Sequence, residues 1–185
     1  GFSQITQSSD QRLVNDMVEC HFSEYLNCIH RHGGEVTETS GDGLMVIFKD
    51  GLLEDNARRA VEAGLEIALA NKQLNEGASY PWGETRLHLG INSGSAWVGS
   101  TKMRSLWGER WTYTASGMVT LLAARIGQLS SDTRLYVGPE TCRHVEDSFN
   151  CQSLGPQQVK NVEEPVPVYW VKDIKSIKAS RLDNS

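Results

Sequence analysis

The sequence predicts an α+β sandwich, a mainly antiparallel sheet with helices packed on one face. Three observations carry that expectation. Long stretches place apolar residues at three- and four-residue steps, the period of a helix face. Short stretches between them alternate polar and apolar residues, the period of a strand. The two patterns interleave as helix, strand, hairpin, strand, helix, strand, strand, helix, strand, with no internal repeat.

Residues 4–10 are polar, and Ser8, Ser9 or Asp10 can cap a helix start. From residue 11 to about residue 30, Val14, Val18, Phe22, Tyr25 and Ile29 form one apolar stripe. Gly33-Gly34 ends that helix, because glycine takes the left-handed cap conformation without penalty. Residues 35–40 alternate polar and β-branched side chains, and residues 44–48, LMVIF, suit a buried strand. Gly41-Asp42-Gly43 between them can turn a hairpin. Asp42 is then either a plain turn residue or a carboxylate held out on a rigid arm.

A second helix is expected over residues 54–75, with Ala57, Val61, Gly64, Leu65, Ala68 and Leu69 inward. Arg58, Arg59, Glu62 and Glu66 would face solvent, and residues 76–83 form a loop. Residues 85–92 alternate as a strand; Ser93-Gly94 turns, and residues 96–99 continue as its partner. Residues 101–110 look like an excursion from a hairpin, and residues 111–114 are β-prone. A third helix runs over residues 117–129, with Val119, Leu122, Ala123 and Ile126 inward. A strand at 134–137 follows, then a short helix at 139–145 with Pro at its start, then strands near 149–154 and 166–171. The end of the chain is polar.

Bulk properties narrow the function. A chain of 185 residues fits one domain with a proper core. A net charge of -5 gives no basic footprint, which argues against nucleic acid as a partner. No apolar run approaches the roughly 18 residues of a membrane span, so no membrane contact by this domain is expected. The four cysteines, Cys20, Cys28, Cys142 and Cys151, show no metal-ligand spacing and suit reduced, buried or semi-buried thiols in a cytoplasmic protein. The chain opens on Gly1 rather than Met and reads as a piece of a longer protein.

Four motifs in order carry a resemblance: HGGEVTETSGDGLMVIF, LHLGINSGSAWVGS, WTYTASGMVTLLAARIGQL and VKNVEEPVPVYWV. Together they resemble the class III adenylyl/guanylyl cyclase catalytic domain, and Gly1-Phe2-Ser3 is similar to the end of that family's first-strand motif. The resemblance implies a ferredoxin-like βαββαβ-type fold whose first strand is missing here. It implies a catalytic domain over residues 1–173 and a polar tail over 174–185. The implied reaction makes a 3′,5′-cyclic nucleotide and pyrophosphate from a nucleoside triphosphate. It needs two divalent ions, Mg²⁺ or Mn²⁺, held by two aspartates, in a head-to-tail homodimer. Other domains of a longer signalling protein are implied as partners.

Asp42 stands at the family's hairpin metal position, and the companion aspartate would fall three places before Gly1. Arg125, in AARI, matches the arginine that stabilises charge on the pentacovalent phosphate. Lys160, in VKN, matches a lysine that reaches the triphosphate tail. Three positions depart from the pattern. Glu38 replaces a purine-reading lysine, and a carboxylate accepts where the lysine donates. Its companion position is Thr114; the pair favours ATP, with GTP the alternative. Leu121, four residues before Arg125, replaces an asparagine that positions the ribose. The stretch after Gly99 is also longer than usual; Lys102, Arg104 and Arg110 there can meet phosphates, although a solvated loop is the plainer reading. Trp107 and Trp111 suit dimer or core packing.

Two functions follow. Asp42, Arg125 and Lys160 favour an enzyme. Glu38 and Leu121 favour a catalytically degenerate nucleotide-binding or dimerisation module. A third class, the diguanylate cyclases with a GGDEF-like hairpin, fits less well, because SGDGL lacks that signature.

Overall fold

The computed structural model describes residues 11–77, 83–105 and 108–175. In chain order these form α1 (Gln11–Arg31), β1 (Glu35–Ser40), β2 (Gly43–Ile47), α2 (Leu53–Gly77), β3 (Leu89–Ile91), β4 (Trp97–Ser105), β5 (Gly108–Ser116), α3 (Met118–Leu129), β6 (Leu135–Val137), α4 (Pro139–Val145), β7 (Phe149–Gln157) and β8 (Val166–Ile174). The expected cap at Ser8, Ser9 or Asp10, the loop core at 78–82, Trp107 and the tail beyond 175 lie outside the described residues. Among the described residues no helix is long and apolar enough to cross a membrane.

Helix α1 buries Val14, Met17, Tyr25, Cys28 and Ile29, while Val18 and Phe22 are half-buried. Its end is sharp. Gly33 takes φ 72°, its N–H donates to the His30 carbonyl at 3.0 Å, and the Gly34 N–H donates to the Ile29 carbonyl at 2.9 Å. These are the two bonds of a Schellman cap. The chain then enters the β1–β2 hairpin directly.

Helix α2 packs against α1 on one side and against α4 and β6 on the other. It can do both because its buried arc is built mainly of small residues: Asn56, Ala57, Ala60, Val61, Ala63 and Gly64. Leu69 was expected inside but is 54% exposed, since it falls outside that arc. Further along the helix Asn71 is buried and takes over as a polar anchor. The Tyr25 hydroxyl donates to Asn71 Oδ1 at 2.6 Å, and Asn71 Nδ2 donates to the Thr85 carbonyl at 2.9 Å. Asn75 Oδ1 accepts from the Thr85 N–H at 3.0 Å. These side chains take the Thr85 backbone groups, Thr133 Oγ1 accepts from the Leu87 N–H at 3.2 Å and Ser130 Oγ from the Leu89 N–H at 3.3 Å, so the expected strand from residue 85 shrinks to Leu89–Ile91.

Strands β3, β6, β8 and β7 form a four-stranded sheet in that order. The β3–β6 pair is parallel, and the β6–β8 and β7–β8 pairs are antiparallel. This corrects the expected hairpin between residues 85–92 and 96–99. Strand β4 instead pairs with β5, from Trp97 opposite Ser116 out to Ser105 opposite Gly108. The supposed excursion at 101–110 is therefore ladder. Its cross-strand ion pairs, Lys102–Glu109 at 2.5 Å and Arg104–Glu109 at 3.2 Å, supply what an apolar alternation does not.

Helices cover both faces of the four-stranded sheet rather than one. Leu135, Val137 and Val171 pack with Ala57 and Val61 of α2 and with Cys142 and Val145 of α4. Tyr136 and Val168 point the other way and pack with Ile126 of α3. A strand read from both sides is apolar at every position, and Leu135-Tyr136-Val137 is buried throughout. None of the four cysteines is in a disulfide, and burial pushes the Cys142 thiol up to about 12.

Helix α3 lies on β3 almost backbone to backbone. A Cβ at Gly90 would stand 2.5 Å from the Ala123 carbonyl oxygen and even closer to the Gly127 amide nitrogen. Gly90→Ala is expected to destabilise by at least ~1–3 kcal/mol, the range for overpacking, read as a lowered denaturant midpoint. An unchanged midpoint would show that α3 is free to lift.

The α1–α2 seam carries charge as well. Glu66 accepts from Arg31 Nη2 at 2.6 Å and contacts His32 Nε2 at 2.8 Å. Arg31 first, then His32, holds its carboxyl below the ordinary 4.5. A depressed folded value means the contribution is present above the unfolded value and is lost as pH falls through the folded one. The gap in thermal midpoint between wild type and Glu66→Gln should therefore narrow from about pH 6 to about pH 3. A gap that stays constant over that range would contradict the pairing.

Candidate active site

Asp42 sits at the tip of the β1–β2 hairpin and is exposed. Ser40 pairs with Gly43, so the loop is the two residues Gly41-Asp42, one shorter than expected. Gly41 takes φ 58°, the glycine-first pattern of a type II′ turn. The arm is rigid because the ladder runs to its end. Among the described residues no group of three or more His, Cys, Asp or Glu side chains is placed to hold a metal ion. Asp42 is one carboxylate, and a divalent ion asks for several oxygen ligands. The donor set described is thus incomplete.

Glu38 lies on β1 opposite Met45 and is exposed. The register slips between Val36 and Glu38, which leaves Thr37 as an extra residue. Cross-strand partners share a face, and Met45 shares a face with Ile47, the partner of Glu35. The bulge therefore puts Glu38 on the Glu35 face, where plain alternation would have put it on the opposite one.

Thr114 is half-buried on β5, opposite Gly99. A side chain at Gly99 would meet nothing within 4 Å, so the ground beside the threonine is open. Its hydroxyl makes one long contact, 3.4 Å to the Ala115 carbonyl, and remains available to a ligand. Tyr113, next to it, points to the other face of the strand.

Leu121 and Arg125 stand one turn apart on α3, both half-buried. Arg125 Nη1 donates to Gln128 Oε1 at 2.9 Å. Its Nε is buried and has no hydrogen-bond partner among the described residues. A guanidinium carries five donors, and Gln128 takes one of them. Lys160 lies in the exposed turn between β7 and β8 and makes no ion pair among the described residues.

The structure brings some of these groups near one another and keeps others apart. β1 touches β5, so Glu38 and Thr114 stand on neighbouring strands, and α3 follows β5 directly. No hydrogen bond or ion pair joins Asp42 to Arg125 or Lys160 among the described residues. Sequence reading missed Lys49. Its Nζ lies 2.7 Å from Glu35 Oε2 and 2.5 Å from the Tyr113 hydroxyl. Glu35 first, then Tyr113, raises its pKa above the usual lysine value. Nothing local marks this tie, because Lys49 and Tyr113 are 64 positions apart.

Comparison with known proteins identifies the family of the chain. Residues 1–173 match the sequence profile of the adenylate and guanylate cyclase catalytic domain. The chain is 24% identical over 177 residues to the receptor-type guanylate cyclase gcy-23 of Caenorhabditis elegans, covering 92% of this chain but 16% of that protein. The crystal structure of the guanylyl cyclase Cya2 superposes with a TM-score of 0.82 at 25% identity, covering 97% of this chain and 90% of that one. The adenylyl cyclase CyaB of P. aeruginosa gives a TM-score of 0.77 at 24% identity, covering 100% of this chain and 92% of that one.

A buried, unpartnered Nε costs stability, so Arg125→Met is expected to leave the thermal midpoint unchanged or raise it by up to about 4 °C. A clear fall would assign Arg125 a structural role.

Proposed function

This chain belongs to the adenylate and guanylate cyclase catalytic domain family, and on that premise we propose that it makes a 3′,5′-cyclic nucleotide and pyrophosphate from ATP, with GTP the less favoured substrate. The observation that carries the reading is Arg125, a half-buried cation with an unpaired Nε, on the helix that follows Thr114. The ribose 3′-oxygen attacks the α-phosphorus, the bond to the bridging oxygen breaks, and pyrophosphate leaves. Arg125 meets the charge that builds on the α-phosphoryl oxygens. Lys160, on its exposed turn, binds the triphosphate tail. Glu38 and Thr114 accept from the amino group of adenine.

Divalent ions, Mg²⁺ or Mn²⁺, lower the pKa of the 3′-hydroxyl and neutralise phosphate charge when bound. Asp42 would supply one carboxylate to them, and a second is required that the described residues do not place beside it. That Asp42 forms no ion pair with Arg125 or Lys160 among the described residues is in keeping with a composite site made by two copies, head to tail. Two exposed apolar side chains are in keeping with that dimer: Trp97 is 85% exposed and Met118 61%. We assign the catalytic unit to the chain as far as residue 175, because β8 carries the expected boundary at 173 on to Ile174 and the Lys175 N–H donates to the Ser148 carbonyl, with the tail beyond, within a larger cytosolic signalling protein.

A second reading rests on Leu121 and Glu38, which remove a ribose donor and a purine donor. A domain so altered binds nucleotide or a second copy without turnover. Loss of one donor at the reacting centre slows such a step by ~10²–10³. Purified protein assayed with Mn²⁺ is expected to accumulate cyclic AMP slowly. Leu121→Asn should raise kcat by about tenfold or more, and Asp42→Asn should abolish turnover. A folded dimer that makes no product, even with Leu121→Asn and Glu38→Lys combined, would rule out catalysis and leave the second reading.

A further inference from the structure

We infer that Lys49 is a positioning residue for purine recognition, which locks the Glu38 face of the β1–β2 hairpin to β5, the strand that carries Thr114. The inference rests on the cyclase reading above and concerns a residue outside its chemistry.

The need for such a lock is topological. β1 and β5 touch, yet they belong to separate sheets with no ladder hydrogen bonds between them. Backbone pairing therefore does not set their relative position. The polar link the described residues make between them is Lys49, two positions beyond the end of β2. Its ammonium reaches Glu35 Oε2 at 2.7 Å and the Tyr113 hydroxyl at 2.5 Å, and it lies 4.8 Å from the centre of the Tyr113 ring. Two of its three donors are thus committed, one to each strand.

Both anchors lie on the strands that carry the purine-facing candidates. Glu35 shares its face with Glu38 because of the Thr37 bulge. Tyr113 adjoins Thr114 and projects from the opposite side of the strand, so gripping Tyr113 fixes the roll of β5 and with it the aim of the Thr114 hydroxyl. Adenine presents an amino group where guanine presents a carbonyl oxygen. A carboxylate and a hydroxyl tell these apart only if their spacing is held. A hairpin free to slide against β5 would blur that distinction and weaken binding of both nucleotides.

The test uses the whole chain with Lys49→Met, which keeps the stem and removes the ammonium, and Tyr113→Phe, which keeps the ring and removes the hydroxyl. Two readouts are taken for each nucleotide: kcat and KM in the cyclase assay, and equilibrium binding of fluorescent ATP and GTP analogues. Each variant is expected to raise KM for ATP by about tenfold with a smaller change in kcat, and to narrow the ATP-to-GTP preference by a similar factor. The double variant should match either single, because both cut one link. A preference that stays within about twofold of wild type in both variants, with a lowered thermal midpoint, would make the tie a fold staple and overturn the inference. Wild-type protein that binds neither nucleotide overturns this inference and the cyclase reading together. Nucleotide binding without turnover sinks catalysis alone, and the binding arm then decides the role of Lys49.

Discussion

The contact on which the site depends is the seating of α3 on β3. Gly90 and Gly127 meet with no side chain between them, so the helix axis comes as close to the strand as backbone allows. That closeness is fixed in depth by atoms that cannot be compressed. It sets Ile126 into the cluster with Tyr136 and Val168 and leaves Arg125, one residue earlier, half out of the core. The strand is short because side chains hold the backbone before it: Asn71 and Asn75 at Thr85, Thr133 at Leu87 and Ser130 at Leu89. A polar network thus decides where the ladder begins, and a pair of glycines decides how closely the helix rides on it.

Stability and the proposed role pull apart at Arg125. A buried nitrogen without a partner lowers stability, and a folded domain tolerates a few such groups. Here the group lies on the helix seated backbone to backbone on β3. The same division shows in the hairpin. Its tip offers Asp42 to solvent, while its base is tied to β5 through Lys49. A rigid arm needs both a continuous ladder and a fixed root. The bulge at Thr37 adds a third requirement, because it turns Glu38 to the face that the root controls.

Elements with strong local signals were legible. Helix α1 with its glycine cap, α2, α3 and the Pro-started α4 follow from periodicity and end signals, and each came within a few residues. The hairpin was legible from a glycine turn between two β-prone runs. Pairing partners were not. The strand at 89–91 looked like half of a hairpin with 96–99, yet it pairs in parallel with β6, 46 positions away by register. The β4–β5 ladder was hidden for a different reason: its outer half is held by Lys102, Arg104 and Glu109, whose attraction across strands leaves no alternation of apolar residues.

The sequence by itself determined the local conformation, the family and the identity of the chemical groups: one hairpin carboxylate, one helix arginine, one turn lysine, and the altered pair Glu38 and Leu121. These depend on residue type and near neighbours, which a linear text records. Only the tertiary structure decided which face Glu38 takes, that the Arg125 Nε is buried without a partner among the described residues, and that Lys49 joins two strands with no shared ladder. Each of these is a relation between atoms distant in the chain or displaced by a single unpaired residue. Such relations arise from packing, where close contact excludes all but one arrangement.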